Sequence, residues 1–497
     1  MDQLIKPQNL SISREQLAML MPYLIMAFGA MASLLVGVMG KSGKNLVSVA
    51  VISVVTVLAS IYSVTQVWGE PSMLLLNNML AADYYSNLFN VVLLAATGLV
   101  ILSSYAYLER EGIHYGEYYS LALFSCLGMM ILASALDLVV LFVALEIMSI
   151  GVYVMVGFRR ADVRSNEAAL KYFVLGSAAS AIMLFGVALL YGATGTMNIA
   201  QVGEFIRANG TGNSLFVLGA ILVVVGFLFK VAAVPFHMWM PDVYEGAPTT
   251  VTSFMTTGLK AAAFASFMRV FMSLGHGTDL TTQFNVGLHN VLWVVAIITM
   301  FLGNVIALTQ TNIKRMLAYS SIAHTGYIII GFIAGARSEY GFSAVVAYLV
   351  AYVIMNIGAF AIVTLVGTKG DRNTDIQDYS GLGFKHPALG FAMAVFMFSM
   401  AGIPPTVGFA GKYMIFSAAV QAGEITLAVL AVLCSAISAY YYLRVIVYMY
   451  MKDPIREAKV GFALPSTLVI AAAAIATLQF GLFPSMLIHA AKKAANI

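Results

Sequence analysis

Long apolar runs, parted by short polar breaks, fill the chain from residue 17 to residue 490. A helix needs about 20 apolar residues to cross the hydrocarbon core of a bilayer. Fourteen runs qualify: 17–39, 44–68, 84–108, 117–135, 137–157, 164–192, 213–240, 249–274, 288–309, 313–336, 340–366, 387–421, 425–450 and 462–490. Such runs read as helices rather than strands, because a backbone in lipid must satisfy its own hydrogen bonds. The longest polar gaps, 69–83, 193–212, 275–287 and 367–386, leave no room for a soluble domain. The predicted fold class is therefore an all-α polytopic membrane protein of about 14 transmembrane helices. The first run follows Lys6 and Arg14 much as a secretory signal would. Its full-span length, and the many runs behind it, predict a first helix that is kept.

Composition agrees. Of 497 residues 61% are hydrophobic and 10% charged, against about 25% charged in soluble domains. The 42 glycines suit close helix packing in lipid. A net charge of +4, spread over loops, offers no nucleic-acid face. Cys126 and Cys434 both lie inside apolar runs and build neither a disulfide framework nor a zinc site; they read as packing residues.

Loop lysines and arginines set the orientation. With the N-terminus outside, the cytoplasmic loops hold Lys41, Lys44, Arg110, Arg159, Arg160, Arg164, Lys314, Arg315, Lys369, Arg372, Lys385, Lys452, Arg456 and Lys459. The outer side holds only Lys6, Arg14, Arg207, Arg337, Lys492 and Lys493. This bias predicts both termini on the outer side.

Two runs carry breaks. The stretch "GFLFKVAAVPFHMW" puts Pro235 in the seventh run, five residues after Lys230. The stretch "SMAGIPPTVGFAGKYMIF" puts Gly402, Pro404, Pro405, Gly408 and Gly411 in the twelfth, just before Lys412. Proline removes a helical hydrogen bond and clashes with the preceding turn. Two interrupted spans at corresponding positions are the mark of a transporter built from repeats. The units are helices 4–8 and 9–13. Five is odd, so the second unit is inverted relative to the first. The organisation reads as 1–116 (helices 1–3), 117–274 (first repeat), 288–450 (second repeat) and 451–497 (helix 14). The "GK" at 411–412 is no phosphate loop: the first glycine of that motif is missing and Tyr413 replaces its Ser or Thr.

Six cations lie within runs: Lys171, Lys230, Lys260, Arg269, Lys412 and Arg444. Arg269 and Arg444 fall close to run ends and read as side chains that snorkel to the interface. Lys171 sits two turns into the sixth run. Lys230, Lys260 and Lys412 are deeper, each at about 2.5–3.5 kcal/mol for a lone helix. Among the acids only Glu146, in "FVALEIMSIG", is near mid-run. One glutamate does not neutralise three or four lysines, so ion pairing alone does not explain them. An ammonium without a counter-charge in hydrocarbon is driven toward the neutral amine, and a lysine poised between the two forms carries protons. Lys230 reads as such a site, and the break at Pro235 as what frees backbone groups and lets water reach it. His324, in "SSIAHTGY", lies mid-run; it reads either as a helix-to-helix hydrogen bond or as a bridge in the proton path. His237 lies near the cytoplasmic end of the seventh run.

The stretches "FVALEIMSIGVYVMVGF", "EAALKYFVLGSAASAIMLFG", "FKVAAVPFHMWMPDVYEGAPT", "NIKRMLAYSSIAHTGY" and "AGIPPTVGFAGK" carry a resemblance that spans nearly the whole chain. The chain resembles the antiporter-like membrane subunits of respiratory complex I, within the NADH:quinone oxidoreductase/Mrp antiporter superfamily. The span count, the lack of a long C-terminal lateral helix as in subunit L, and Lys412, where subunit M has a glutamate, point to the subunit N branch. The resemblance implies that Glu146 and Lys230 form the pair coupled to a neighbouring subunit, with Lys171 close by. It implies Lys260 as the central relay, Lys412 as the terminal site toward the outside, and His324 between them. His237 matches the histidine after the first break.

The implied function is proton translocation from cytoplasm to outside across a bacterial inner (plasma) membrane, coupled to NADH oxidation and quinone reduction on partner subunits. No cysteine cluster or dinucleotide glycine loop is present, so the expectation is no cofactor on this chain, with FMN, iron–sulfur clusters and quinone held by partners. The expected partners are the neighbouring antiporter-like subunit, the small membrane subunits and the bilayer, with no nucleic acid. The motifs are shared with subunits of Mrp-type cation/proton antiporters, which lack redox partners. A non-transporting scaffold is the third reading, and the row of lysines argues against it.

Overall fold

Each apolar run of the sequence is helical in the computed structural model, which describes residues 13–39, 46–209, 212–273, 283–371, 373–454, 460–461 and 463–495. Of the orientation-setting residues, Lys6, Lys41, Lys44, Arg372, Arg456 and Lys459 lie outside the described residues.

The chain opens with α1 (Arg14–Met39) and α2 (Leu46–Gln66), then a hairpin, β1 (Met73–Leu75) and β2 (Leu80–Ala82). The hairpin departs from the all-α expectation. Its strands pair antiparallel with Leu75 opposite Leu80, and Leu76, Asn77 and Asn78 turn the chain with positive φ, which asparagine tolerates. There follow α3 (Tyr84–Glu111), α4 (Glu117–Ser134), α5 (Leu138–Val156) and α6 (Val163–Thr194). The gap at 193–212, expected to be polar loop, holds an amphipathic helix, α7 (Ile199–Asn209). The seventh run is α8 (Ser214–Lys230) and α9 (Trp239–Gly246), parted by a turn. The eighth is α10 (Thr249–Phe254), a π-helical turn at Met255–Leu259, and α11 (Lys260–Ser273). Next come α12 (Gln283–Thr309), α13 (Ile313–Gly335), α14 (Glu339–Val366) and the short α15 (Leu382–Lys385). The twelfth run is α16 (Pro387–Ala401) and α17 (Val407–Gln421), and the thirteenth is α18 (Ile425–Met451). The last run, expected unbroken to residue 490, is two helices, α19 (Leu464–Leu482) and the amphipathic α20 (Ser485–Ala495); Pro484 separates them. Among the described residues, eleven single helices are long and apolar enough to cross a membrane.

Short polar side chains start the helices. Asp83 accepts the Ser86 amide and opens α3, Asp137 accepts those of Val139 and Val140 and opens α5, and Asn312 accepts those of Lys314 and Arg315 and opens α13. Small residues then let helices approach. A Cβ on Gly303 of α12 would lie 2.7 Å from the Ala323 amide of α13, so only glycine permits that crossing. At the centre stands α14, buried nearly end to end, with α3, α10, α13, α16, α17, α19 and α20 around it.

One arginine corrects the sequence reading. Arg269 does not snorkel: it is 1% exposed, bonds Asp83 through both terminal nitrogens at 2.8 and 3.0 Å, and donates to the Ala133 carbonyl. Arg444 is half-buried and donates to the Leu308 and Gln310 carbonyls, where α12 ends. A cation at a helix C-terminus meets the negative end of its dipole.

Candidate functional site: a row of buried lysines

On α5, Glu146, Ser149 and Tyr153 fall on one face at helical spacing. The Lys230 ammonium reaches this face from the last residue of α8, donating to Ser149 Oγ at 3.0 Å and to the Tyr153 hydroxyl at 3.4 Å. Among the described residues Glu146 makes no ion pair with Lys230, and its buried Oε1 has no hydrogen-bond partner. Ser149 and Tyr153, rather than the carboxylate of the expected pair, hold the ammonium.

Beyond Lys230 the helix stops. Ala232 takes a positive φ and the Val234–Pro235 peptide is cis. The backbone groups freed by the break are met from outside: Thr299 Oγ1 accepts the Val234 amide, Thr325 Oγ1 donates to the Val231 carbonyl, and the Trp239 indole donates to that of Phe229. Broken helices survive at membrane depth only with such partners. His237 lies past the break, partly buried; among the described residues no hydrogen bond or ion pair ties it to Lys230.

Lys260 follows directly on the π-helical turn of the eighth run, a feature common at functional sites. The residue is 2% exposed, and its ammonium donates to the carbonyl and the hydroxyl of Ser321, the latter at 2.7 Å. Tyr352 donates to the same hydroxyl at 2.7 Å, with its ring 5.2 Å from the ammonium. Thr325 Oγ1 bridges the Ser321 and Val231 carbonyls, tying the backbone just past Lys230 to the carbonyl that Lys260 bonds.

One helical turn along α13, each ring nitrogen of His324 bonds a tyrosine hydroxyl, Nδ1 to Tyr348 and Nε2 to Tyr442 at 3.1 Å. Tyr442 in turn bonds Ser320.

Lys412 lies on α17 but is held by the other half of the broken helix. Its ammonium donates to the Met400 and Ala401 carbonyls at 2.9 and 3.0 Å, at the negative end of α16. Ser435 Oγ of α18 accepts the third bond at 2.9 Å, and the Tyr327 ring centre lies 5.2 Å away. Gly402 ends α16 with φ +87°, and a Cβ there would meet Lys412 Cδ at 2.8 Å. The Pro404–Pro405 peptide that follows is cis.

Lys171 stands apart. Its side chain is 41% exposed and paired with Glu167 at 2.7 Å and Asp242 at 2.9 Å. Arg315 bonds the same Asp242 and Glu245. A further buried cation was missed by reading the sequence. Lys314 looks like a loop residue, yet its side chain is 1% exposed. It donates to the Glu245 and Ala247 carbonyls and lies 3.5 Å from Asp371. Asp371 also bonds Arg159, Thr249 Oγ1 and the Tyr107 hydroxyl. The neutral partners Ser149, Tyr153, Ser321, Tyr348, Tyr352, Ser435 and Tyr442 were missed as well. Their signal was polar residues recurring three or four apart on otherwise apolar helices.

Residues 135–438 match the family described as NADH:quinone oxidoreductase/Mrp antiporter, transmembrane. The chain is 44% identical over 488 residues to NADH-quinone oxidoreductase subunit N of Trichlorobacter lovleyi, covering 97% of each chain. Its structure is similar to a chain of respiratory complex I from Thermus thermophilus, with a TM-score of 0.80 and 33% identity over 94% of this chain and 98% of that one. It shares its fold with a chain of the Mrp complex from Dietzia, at a TM-score of 0.81 and 23% identity over 96% of this chain and 97% of that one. The chain belongs to the NADH-quinone oxidoreductase subunit N family, within the NADH:quinone oxidoreductase/Mrp antiporter group of membrane subunits.

Proposed function

We propose that the chain is a proton-translocating membrane subunit of a bacterial NADH:quinone oxidoreductase. It moves protons from cytoplasm to outside while partner subunits oxidise NADH and reduce quinone. One observation carries the reading: three buried lysines, Lys230, Lys260 and Lys412, are held by carbonyls, hydroxyls and tyrosine rings, with no carboxylate bonded to any of them among the described residues. Neutral partners stabilise the ammonium without locking it charged, as a carrier requires.

In this reading Glu146 sets the charge of Lys230 and answers to a neighbouring membrane subunit through its unbonded oxygen. Lys260 is the central relay. His324 and its tyrosines connect it to Lys412, which releases protons outward. Lys171 and Asp242 stand at the cytoplasmic approach, and His237 has the least support. FMN, iron–sulfur clusters and quinone belong to other subunits of the assembly.

Fourteen spans follow when three compound spans join the eleven single ones: α8 with its break, α10 through the π turn to α11, and α16 with α17. Alternating directions then bring Arg159, Lys314 and Asp371, joined by ion pairs, to one face, and the separate pairs Asp83–Arg269 and Arg337–Glu424 to the other. With the positive-inside rule this arrangement supports the reading of both termini outside in the bacterial plasma membrane. Inverted repeats over helices 4–8 and 9–13, residues 117–274 and 288–450, have packing on their side. In each unit the first helix packs on the second and fifth, and the third packs on the second and on both halves of the broken fourth.

The Mrp-type reading shares the fold. Purification in mild detergent separates the two: the expected assembly contains FMN and iron–sulfur signals and pumps protons with NADH. An assembly without flavin that exchanges cations for protons would overturn the proposal.

A further inference from the structure

An apolar crevice runs between α3, α14 and α19, lined by Val91, Leu99, Val350, Ile354, Ala476 and Phe480. Between Gly341 and Val366, every residue of α14 is buried except Val350 and Ile354. These two lie one turn apart, so this crevice is where the central helix meets the bilayer. On the opposite side of α14, two residues round the helix, Tyr348 and Tyr352 reach His324 and Ser321.

Three helix ends gather at the rim: the starts of α3 and α14 and the end of α19. Across them lies α20, packed on all three, with Leu487, Ala491 and Ala494 inward and Lys492 and Lys493 exposed. The Lys493 ammonium stands 4.5 Å from the ring centre of Tyr84, the first residue of α3. That of Lys492 stands 4.8 Å from Tyr340, the second residue of α14. No described carboxylate pairs with either lysine. Tyrosines and lysines at helix ends are headgroup-level residues. At 1.5 Å per residue, the crevice opens about 10–15 Å deeper, beside Val91 and Val350. That is the depth of acyl chains in a leaflet roughly 15 Å thick.

We propose that this is a binding site for one anionic phospholipid, its phosphate between Lys492 and Lys493 and an acyl chain against Val350 and Ile354. Charge chooses the occupant. Two lysines favour an anionic over a zwitterionic headgroup on the order of thirtyfold, from about 1 kcal/mol each. A seated chain presses on the back of the helix that carries Tyr348 and Tyr352, and so steadies the tyrosines beside Lys260 and His324.

The test uses the assembled complex in phosphatidylcholine nanodiscs containing a phosphatidylglycerol with a mid-chain diazirine. After irradiation, labelled residues are mapped by mass spectrometry. Label is expected on Val350–Ile354 of α14 and near Ala476 of α19, displaced by unlabelled phosphatidylglycerol but not by phosphatidylcholine. The double variant Lys492→Gln, Lys493→Gln is expected to lose it. Ala476→Phe, which fills the crevice, is expected to lose the α14 label while other lipid-facing surfaces keep theirs. Equal labelling by a phosphatidylcholine probe would overturn the proposal, as would full labelling of the double variant or an α14 that takes no label. The probe and competition arms need only the unaltered chain. The readout is independent of proton uptake.

Discussion

Ser321 accepts the Lys260 ammonium twice, through its carbonyl and its hydroxyl, and the hydroxyl also accepts from Tyr352. Ser321→Ala leaves one Lys260 N–H and the Tyr352 hydroxyl without that acceptor. An unmet buried polar group costs about 1–3 kcal/mol. The predicted outcome is slower proton uptake by vesicles per assembled complex, with Ser321→Thr retaining more of it than Ser321→Ala. Unchanged uptake in the alanine variant would remove this serine from the path.

Glu146 is predicted to work by charge rather than by contact, since no ion pair joins it to Lys230. Glu146→Gln keeps the shape and removes the charge, which favours the neutral lysine. Proton pumping is predicted to fall with the complex still assembled, and Glu146→Asp to retain part of it. The prediction fails if the glutamine variant pumps like the unaltered protein.

Asp371 makes a prediction about pH. Burial alone would raise its pKa, but the charges of Lys314 and Arg159 and the bonds from Thr249 and Arg159 outweigh it and hold the carboxyl below the usual range. A carboxyl depressed in the folded state contributes stability above its unfolded pKa of about 3.9 and loses it as pH falls through the folded value. Asp371→Asn leaves Lys314 and Arg159 without their shared counter-charge, at roughly 3–5 kcal/mol for a broken buried pair. The melting temperature of the detergent-purified protein is predicted to drop for the variant at neutral pH, and the gap to narrow as pH falls below about 4. A gap that does not change with pH would show that the carboxylate charge is not what holds this corner.

How much of this could be read from the sequence depends on where each signal lives. Lys230, Lys260 and Lys412 stand out because a cation in a long apolar run has few explanations. The breaks stand out because proline and glycine act through the backbone locally. Arg269 and Lys314 were misread because their burial is made by residues far off in the chain, Asp83 for one and Asp371 for the other. Lys314 sits two residues after its helix cap, where a lysine is usually in water. The tail was read as one span because the amphipathic α20 continues the apolar average of α19; only Pro484 marked the bend. The serines and tyrosines that hold the lysines are common in membrane helices, and the fold alone shows which of them face a charge.

The central claim is that these lysines gain and lose protons. Lys412 tests it most directly, because its three partners are all neutral acceptors. A structural cation needs only positive charge, so Lys412→Arg would be nearly harmless. A carrier must give up its proton in every cycle, against a membrane field of about 2.3 kcal/mol per charge per 100 mV. Arginine does not, because its pKa stays above about 12 when buried. The measurement is NADH-driven proton uptake in inverted vesicles, normalised to assembled complex, for Lys412→Arg and Lys412→Ala. Both variants are predicted to pump poorly, with arginine no better than alanine. Full pumping by the arginine variant would contradict the account and leave Lys412 a structural charge.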